Sequence, residues 1–213
     1  MFSTYKIEEP VGAVDLIIAQ IHNKQIPESY PDFMINNLER YEQRSKFIQQ
    51  IGFSLVSLDW IIPLSKWIGC RKCLEVMSGT GALSFALLQQ SVDIKATDNF
   101  SWDTENSWNK QKNYWTDIEN IDVIEAIKKY GKNIDIIIMS WPYMDDTAYR
   151  VLQIMREVNP QCLMIVIGES HGGCTANDEF FDSIVEVEDN AFNVAVKEYK
   201  RWWGIYDYPQ LVK

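Results

Sequence analysis

The sequence has no long hydrophobic run, no cluster of basic residues and no N-terminal targeting pattern. No stretch approaches ~18 consecutive apolar residues, so we expect no membrane span. The formal net charge is −10, and the pairs Lys128-Lys129 and Lys200-Arg201 are isolated, which argues against stable nucleic-acid binding. Residues 1–10 lack a basic region followed by an apolar core, so we expect no signal peptide and a cytoplasmic location.

Cysteine and histidine are scarce, with four and two residues respectively. In a cytosolic protein the thiols are expected to be reduced. Cys70 and Cys73 have the C-x-x-C spacing of redox and zinc sites, but Cys73 opens a predicted buried strand and no second C-x-x-C exists. We therefore interpret the cysteines as packing residues and expect no metal site.

One stretch, residues 72–84, is the feature around which the chain is organised. It begins with apolar residues, carries an acid at Glu75, turns on Gly79 and Gly81, and continues as an apolar run. This order is typical of a buried strand, a tight loop and the first turns of a helix. A second strand pattern follows and ends on Asp98. Together, the glycine turn and this acid form the frame of a nucleoside site.

From residue 74 onward, strand patterns alternate with helix patterns. This alternation predicts an α/β fold with a Rossmann-like, doubly wound, mostly parallel sheet. The predicted strands are Leu74–Met77, Ile94–Asp98, Ile134–Met139 and Cys162–Ile167, and the predicted helices are Leu83–Gln90, Ile121–Tyr130 and Thr147–Val158. We expect aromatic strands between Ile184 and Val212 to close the sheet with an antiparallel edge.

The residues before the sheet are predicted to be helical. Apolar residues recur at helical spacing in Val14–Gln25 and in Asp32–Gln50, and the apolar segment Ser54–Ile68 ends at Gly69. We expect these helices to cover one edge of the sheet or the mouth of a site.

The whole chain is predicted to form one domain, because it shows no internal repeat, low-complexity tract or linker. Residues 1–69 would form an N-terminal helical cap. Residues 70–213 would form the Rossmann-like core, which is an ordinary size for a single domain.

Four strand ends are expected to meet in one crevice, because ligands of open parallel sheets bind at the carboxyl ends of the strands. The first strand leads into Met77–Gly81 and the second into Asp98-Asn99. The two later strands lead into Ser140–Tyr143 and Gly168–Gly173. The sequence therefore predicts that these segments share a site.

The glycine loop limits the class of cofactor. A dinucleotide fingerprint needs a third glycine where Ser84 stands, and a P-loop needs a Gly-Lys-Ser/Thr sequence that does not follow. The remaining interpretation is a loop close to an uncharged nucleoside or an amino-acid tail, with Asp98 accepting from ribose hydroxyls. Alternatively, the loop is only a strand-to-helix turn and Asp98 only a solvated strand end.

These residues resemble the class I S-adenosylmethionine-dependent methyltransferases. Glu75–Gly81 is similar to the family's motif I, E/D-x-G-x-G-x-G, with Met77 at the first glycine position. The resemblance covers roughly residues 56–185 and implies S-adenosyl-L-methionine as the cofactor. The cofactor-binding residues that it implies are Glu75, Met77, Gly79, Gly81, Asp98, Asn99, Asp122, Val123 and Ser140, with Asp98 at the ribose and Asp122-Val123 at the adenine.

A second resemblance concerns the methyl acceptor. Ser140-Trp141-Pro142-Tyr143 is similar to motif IV of amino-methyltransferases, (D/N/S)-P-P-(Y/F/W), with Trp141 replacing the first proline. It implies methyl transfer to an amine or another small nucleophile. The Ser140 hydroxyl and the Trp141 carbonyl are predicted to accept hydrogen bonds from an amino group, and Tyr143 to stack on the acceptor or face the sulfonium. Alternatively, Pro142 only turns the chain and the aromatic residues pack.

Glu169 and His171 follow the last parallel strand and are further catalytic candidates. Histidine is a common general base, and the glycines beside His171 would let its loop move. The alternative is that both are ordinary surface residues.

Three functions stay open from the sequence: methyl transfer to a small-molecule or protein acceptor, binding or degradation of S-adenosylmethionine without transfer, and a non-catalytic interaction protein with the same fold. Trp202-Trp203 is interpreted as sheet packing or as a contact between two copies, and the second alternative would give a homodimer.

Overall fold

The computed structural model describes residues 13–35, 41–102 and 114–213. Within them lie the strands β1 Cys73–Val76, β2 Ile94–Asp98, β3 Ile118–Asn120, β4 Ile136–Ser140, β5 Leu163–Gly168 and β6 Tyr208–Val212. They form one sheet in the order β3-β2-β1-β4-β5-β6. The strand order therefore reverses between β1 and β4, and this switch point is where open α/β sheets bind ligands.

The first five strands pair in parallel, and β6 pairs with β5 in the antiparallel direction. The central strand β1 is buried along its whole length, between β2 on one side and β4 on the other. Near-continuous apolar residues in β4 and β5 suit strands that are covered on both faces. The predicted α/β, doubly wound fold with an antiparallel C-terminal edge is confirmed.

Helices cover both faces of the sheet. They are α1 Ala13–His22, α2 Asp32–Ile35, α3 Tyr41–Ile51, α4 Leu58–Ile68, α5 Ala82–Gln89, α6 Val123–Tyr130, α7 Thr147–Val158, α8 Asp178–Ser183 and α9 Asn190–Ala195. Successive residues of a strand point to opposite faces of the sheet. Alternate residues of the central strands therefore belong to two different buried clusters. Ile136 and Ile138 belong to the buried cluster that contains residues of α1, α3, α4, α5 and α9, whereas Ile137 belongs to the cluster with residues of α6, α7 and α8.

The N-terminal helices share a core with the sheet. Residues of α1, α3 and α4 belong to the same buried cluster as Ile165 and Ile167 of β5. The Tyr30 hydroxyl donates to the Val56 carbonyl, and the Trp60 indole donates to the Leu55 carbonyl. These two bonds hold the segment before α4 and thereby fix the chain that leads to the site.

Several boundaries differ from the sequence predictions. The first helix ends at His22 rather than Gln25, and residues 36–40 of the predicted Asp32–Gln50 helix lie outside the described residues. Strand β3 was not predicted, because its three residues are only partly buried and leave no apolar pattern.

The expectation of several aromatic strands between Ile184 and Val212 was wrong. Asp189 accepts hydrogen bonds from Ala191 and Phe192 and so starts helix α9 in the middle of this segment. Only β6 follows, with an isolated bridge between Glu186 and Val212. Trp202 packs edge-on against Phe47 in the core, whereas Trp203 is about half exposed.

None of the helices in the described ranges is both long enough and apolar enough to cross a membrane.

Candidate functional site

Two adjoining cavities open at the carboxyl ends of the parallel strands. We call the first, of about 90 Å³, the central cavity, and the second, of about 180 Å³, the side cavity. The central cavity is bounded by the β1–α5 loop, the end of β2, the end of β4 and the segment before α4. Residues that line both cavities are Met77, Asp98, Asn99, Ser101 and Tyr143. Three of the four predicted segments therefore meet in one site.

The β1–α5 loop runs through left-handed backbone conformations. Met77, Gly79 and Gly81 have φ angles of 53°, 56° and 72°. A side chain at Gly81 would also place its Cβ 3.0 Å from Thr116 and 3.1 Å from Ile118. Glycine is therefore favoured at Gly81 by its left-handed conformation, and a side chain there would crowd Thr116 and Ile118. Met77 keeps a backbone conformation that suits the family's glycine, at a cost of ~1 kcal/mol for a residue with a side chain.

Glu75 is buried in β1 and faces the start of α5. Its carboxylate accepts hydrogen bonds from the Ser84 backbone N–H, at 3.0 Å, and from the Ser84 hydroxyl. Burial raises the pKa of Glu75 to about 7, against the lowering effect of these hydrogen bonds. Glu75 lines the central cavity, but its described bonds tie β1 to α5.

Asp98 ends β2, is 4% exposed and connects the β1–α5 loop to the turn after β2. One carboxylate oxygen accepts from Gly79 N–H at 2.8 Å, and the other accepts from Phe100 N–H at 2.6 Å and Trp102 Nε1 at 3.1 Å. Burial raises the pKa of Asp98, partly offset by these donors. A ribose hydroxyl would share these oxygens with the protein donors or replace the Trp102 indole, whose bond is the longest.

Asn99, Asp122 and Val123 line the side cavity. The Asp122 carboxylate also accepts from Ile124 N–H at 2.9 Å and caps α6. Asn99 accepts from Ser101 N–H at 3.0 Å, which orders the turn after β2. The prediction that these residues bind adenine and ribose is compatible with their positions and stays a prediction.

The Ser140–Tyr143 turn forms the opposite wall of the central cavity. The Ser140 hydroxyl lies 2.7 Å from the Ser54 hydroxyl. The Trp141 indole stacks on Phe53 with centroids 4.8 Å apart and an angle of 18°, and its N–H donates to Asp207 at 2.9 Å. The φ angle of Trp141 is 53°, which proline cannot adopt. A proline could therefore not stand at Trp141 without a change of the backbone in this turn.

Tyr143 lies between the two cavities and is 45% exposed. Burial of its ring edge raises the pKa of the Tyr143 hydroxyl, and a hydrogen bond with Ser101 partly offsets this. The position allows the ring to contact a ligand that spans both cavities.

Glu169 and His171 lie outside the lining of the central and side cavities. The Glu169 carboxylate accepts from Cys174 N–H and Tyr206 N–H, both at 2.9 Å, and so joins two loops. Burial raises the pKa of Glu169, but these bonds and the Arg44 charge outweigh it and hold the pKa below its usual value. His171 is exposed and lies 3.0 Å from Asp182. The catalytic roles predicted for both residues are not tested by these contacts.

Sequence reasoning missed Phe53, Ser54, Tyr199 and Asp207. The first two line the central cavity from the segment before α4, and the last two contact its walls from the chain before β6. All four are distant in sequence from the strand ends that they contact, so no local motif could reveal them. An acid between two tyrosines, Tyr206-Asp207-Tyr208, was the only sequence signal.

The β1–α5 loop carries one buried hydroxyl that a polar ligand could bind. The Ser78 hydroxyl lines the central cavity, is buried and has no hydrogen-bond partner among the residues that the structure describes. Buried hydroxyls usually have a partner, so a ligand with a polar tail fits this position. The amino-acid end of S-adenosylmethionine has the required donors and acceptors.

The cysteines show no activated thiol in the described ranges. Burial raises the pKa of Cys73 and of Cys162 to about 12, which keeps both thiols protonated. Cys70 and Cys73 are both free. No group of three or more potential metal ligands occurs among the described residues.

No protein-family model matches the chain, and no curated protein sequence matches it. Among solved structures, the chain is similar to TehB from Haemophilus influenzae, at 14% identity over 80% of this chain and 66% of that chain, with a TM-score of 0.45. It is also similar to a SAM-dependent methyltransferase from Archaeoglobus fulgidus (13% identity, 72% and 92% covered, TM-score 0.42). A third similar structure is human N-acetylserotonin methyltransferase in complex with SAM, at 11% identity over 94% of this chain and 66% of that chain, with a TM-score of 0.46. At these identities and TM-scores, the function has to be argued from the site itself.

Proposed function

We propose that this protein is an S-adenosylmethionine-dependent methyltransferase that acts on an amine or another small nucleophile. The observation that carries the proposal is the central cavity, which brings the β1–α5 loop, Asp98 and the Ser140–Tyr143 turn to one edge of the sheet. These are the segments that resemble motif I, the ribose-binding acid and motif IV. A binding protein for a nucleoside alone would not require the turn after β4.

The cofactor side of the site consists of the β1–α5 loop and the ends of β2 and β3. Asp98 would accept from the ribose hydroxyls, and Asp122 and Val123 would border the adenine in the side cavity. Ser78 and the glycine loop would hold the amino-acid end. The cofactor, when bound, supplies an electrophilic methyl group.

The acceptor side consists of the turn after β4. The Ser140 hydroxyl lines the central cavity and can accept a hydrogen bond from an acceptor N–H, which orients the nitrogen lone pair. The half-exposed Tyr143 ring can stack on a planar acceptor. The stacked rings of Phe53 and Trp141 supply an apolar wall that limits access of water. Small-molecule and protein acceptors both remain compatible with this arrangement.

The test is transfer of a labelled methyl group. The purified protein is incubated with S-adenosylmethionine labelled in its methyl group and with a cell extract depleted of that cofactor. We expect a labelled product together with S-adenosylhomocysteine. Ser140→Ala should slow labelling at least tenfold while leaving S-adenosylhomocysteine affinity unchanged, since the hydroxyl acts on the acceptor. An equal loss of both would contradict the role of Ser140.

A second candidate is a protein that binds S-adenosylmethionine without transferring its methyl group. The backbone of Trp141 favours it, because a turn that proline cannot adopt departs from the amino-methyltransferase motif. Saturable binding of the cofactor without any labelled product would support this candidate over the first.

A further inference from the structure

Asp98 holds an aromatic side chain at the edge of the proposed cofactor site. The Trp102 indole donates its N–H to Asp98 Oδ1 at 3.1 Å, and Trp102 lines the central cavity. Phe100 N–H donates to the same oxygen at 2.6 Å, and Gly79 N–H donates to Oδ2 at 2.8 Å. Two of these three donors belong to the backbone, so the Trp102 indole is the one that a side-chain rotation can remove.

The two oxygens of Asp98 differ in the room that they leave for a ligand. An ionised carboxylate has about four lone-pair positions, shared equally between its oxygens. The Phe100 and Trp102 bonds fill Oδ1, whereas the Gly79 bond leaves a position free on Oδ2. A ribose presents two neighbouring hydroxyls, and a carboxylate accepts both when each oxygen takes one. The second hydroxyl therefore needs a position that is already occupied.

The geometry favours Trp102 over Phe100 as the donor that leaves. The Phe100 bond is the shorter of the two and comes from the backbone of the turn after β2. The Trp102 side chain is only partly buried, so its indole can turn without opening a core. Its ring contacts Phe100 and Tyr114 at centroid distances of 6.0 Å and 6.3 Å. These contacts would still support the ring after the bond to Asp98 breaks.

Resting on the proposed function, we propose that Trp102 occupies a ribose position on Asp98 in the empty site and gives it up when the cofactor binds. The indole keeps the buried carboxylate paired while no ligand is present, which avoids the cost of an unsatisfied charged group. On binding, the hydroxyl of the ligand gains one hydrogen bond while the protein loses another. Trp102 thus lowers the affinity for S-adenosylmethionine and for its demethylated product alike.

Two tryptophan variants test this exchange. Trp102→Phe keeps an aromatic ring at the position but has no N–H for Asp98. The matched control is Trp67→Phe, because the Trp67 indole also donates to an aspartate, Asp189, at 3.0 Å. Trp67 lies outside the lining of the central and side cavities. The two variants therefore remove the same kind of hydrogen bond, one inside the proposed site and one outside it.

The first readout is the affinity for S-adenosylhomocysteine, measured by calorimetry. Trp102→Phe should bind it roughly tenfold more tightly than the wild type, because one net hydrogen bond no longer has to be broken. Trp67→Phe should bind it with wild-type affinity. Unchanged affinity in Trp102→Phe would overturn the exchange. Weaker affinity would also overturn it, because the indole would then support the ligand rather than compete with it.

The second readout removes one ribose hydroxyl at a time. The probes are the two analogues of S-adenosylhomocysteine that each lack one of these hydroxyls. The analogue without the competing hydroxyl should bind the wild type and Trp102→Phe equally, because it displaces nothing. The other analogue should keep the roughly tenfold preference for Trp102→Phe. The same preference for both analogues would mean that no ribose hydroxyl replaces the indole, which overturns the exchange.

The third readout follows the indole itself. In wild-type protein labelled with ¹⁵N at tryptophan, the Trp102 indole N–H signal is assigned with Trp102→Phe. It should shift when S-adenosylhomocysteine binds, because the N–H loses a charged acceptor. The Trp67 signal, assigned with Trp67→Phe, should stay in place. A Trp102 signal that does not move at saturation would overturn the exchange.

The outcomes distinguish failure of the exchange from failure of the proposed function. If the folded wild type does not bind S-adenosylhomocysteine, the proposed function is contradicted and the exchange falls with it. If the wild type binds it while the Trp102 signal stays in place and Trp102→Phe has the same affinity, the exchange alone is overturned. The methyltransferase proposal would then still stand.

Discussion

The two walls of the central cavity are built in different ways. On the cofactor side, the β1–α5 loop is held mainly by the end of the adjacent strand β2, where Asp98 accepts from Gly79 N–H and the Thr97 carbonyl accepts from Ser78 N–H. Thr80 in the same loop also donates to the Ile51 carbonyl. On the acceptor side, Trp141 is held by side chains from the two ends of the chain, Phe53 and Asp207. Each wall contains one residue with a φ of 53°, Met77 and Trp141.

This difference explains which wall could be recognised in the sequence. The β1–α5 loop is fixed mainly by the strand beside it, so its pattern of glycines and acids is short and visible in the sequence. Met77 has a left-handed backbone conformation in this loop. The turn after β4 depends in addition on Phe53 and Asp207, which are far from it in the sequence and belong to no short motif. Trp141 is therefore best understood together with Asp207 and Phe53, not as a poor match to a local motif.

The largest effect is expected at Asp98, on the cofactor side. Asp98→Ala removes the acceptor for the ribose and for Gly79 N–H. Hydrogen bonds to a charged group contribute ~1.5–3 kcal/mol each, so affinity for S-adenosylhomocysteine should fall by about 4 kcal/mol, or roughly 10³-fold. Calorimetry measures this. Asp93→Ala, in the exposed turn before β2, should bind normally, and equal affinity of the two variants would place the ribose elsewhere.

A further prediction on the cofactor side concerns Glu75 and pH. Its pKa rises from 4.5 to about 7 on folding, so the folded state binds the proton more tightly. Its contribution to stability is complete below pH 4.5 and is lost as the pH rises to about 7. Relative to Glu75→Gln, the wild type should therefore lose roughly 3 kcal/mol of unfolding free energy across that range, as measured by urea denaturation.

The control for Glu75 is Glu119→Gln, because the Glu119 pKa is lowered to about 2 by Lys129, Tyr130 and Lys95. A lowered pKa contributes stability that is present above 4.5 and lost only at lower pH. The difference between the wild type and this variant should be constant between pH 4.5 and 7. If the unfolding free energies of Glu75→Gln and Glu119→Gln differed from the wild type in the same way across this pH range, the raised pKa of the buried Glu75 would be contradicted.

On the acceptor side, Trp141→Phe keeps an aromatic ring beside Phe53 but removes the N–H that bonds to Asp207. Loss of one hydrogen bond to a buried carboxylate should lower the unfolding free energy by about 2 kcal/mol. Trp203→Phe changes an exposed tryptophan in the same way and should stay within about 0.5 kcal/mol of the wild type. Urea denaturation of both variants provides the comparison, and equal stabilities would mean that the Asp207 bond does not hold the turn.

The smallest effect compares two changes at Met77. Met77→Gly and Met77→Ala both remove the side chain, but only glycine relieves the left-handed conformation. The glycine variant should be about 1 kcal/mol more stable. The same pair at Met144, which is exposed and not left-handed, should show the opposite order, because glycine there only adds unfolded-state freedom. The same order at both positions would argue against strain at Met77.

The sequence predicted the parts of the fold that have a strong local pattern. Strand β2 and helix α7 match their predicted bounds, because β-branched residues and helical spacing mark them clearly. Strand β3 and helix α9 were missed, since one is short and half-buried and the other depends on a single cap at Asp189.

The same distinction applies to the site. Gly79 and Asp98 were predicted from a motif, and they share a hydrogen bond and both line the central cavity. The contacts of Asp207, Tyr199 and Ser54 depend on how the chain ends pack over the sheet, which no local pattern encodes. Glu169 was predicted as a catalytic residue from its position at a strand end; its described bonds join two loops, and the catalytic role stays a prediction.

The central claim is that the loop at Met77–Gly81 and Asp98 bind S-adenosylmethionine. Calorimetric titration of the wild-type protein with S-adenosylhomocysteine tests it most directly, because this product needs no methyl acceptor. We expect saturable binding with one ligand per chain, weakened by Asp98→Ala and unaffected by Ser140→Ala. The absence of binding to S-adenosylhomocysteine and to S-adenosylmethionine in a folded wild-type protein would contradict the account.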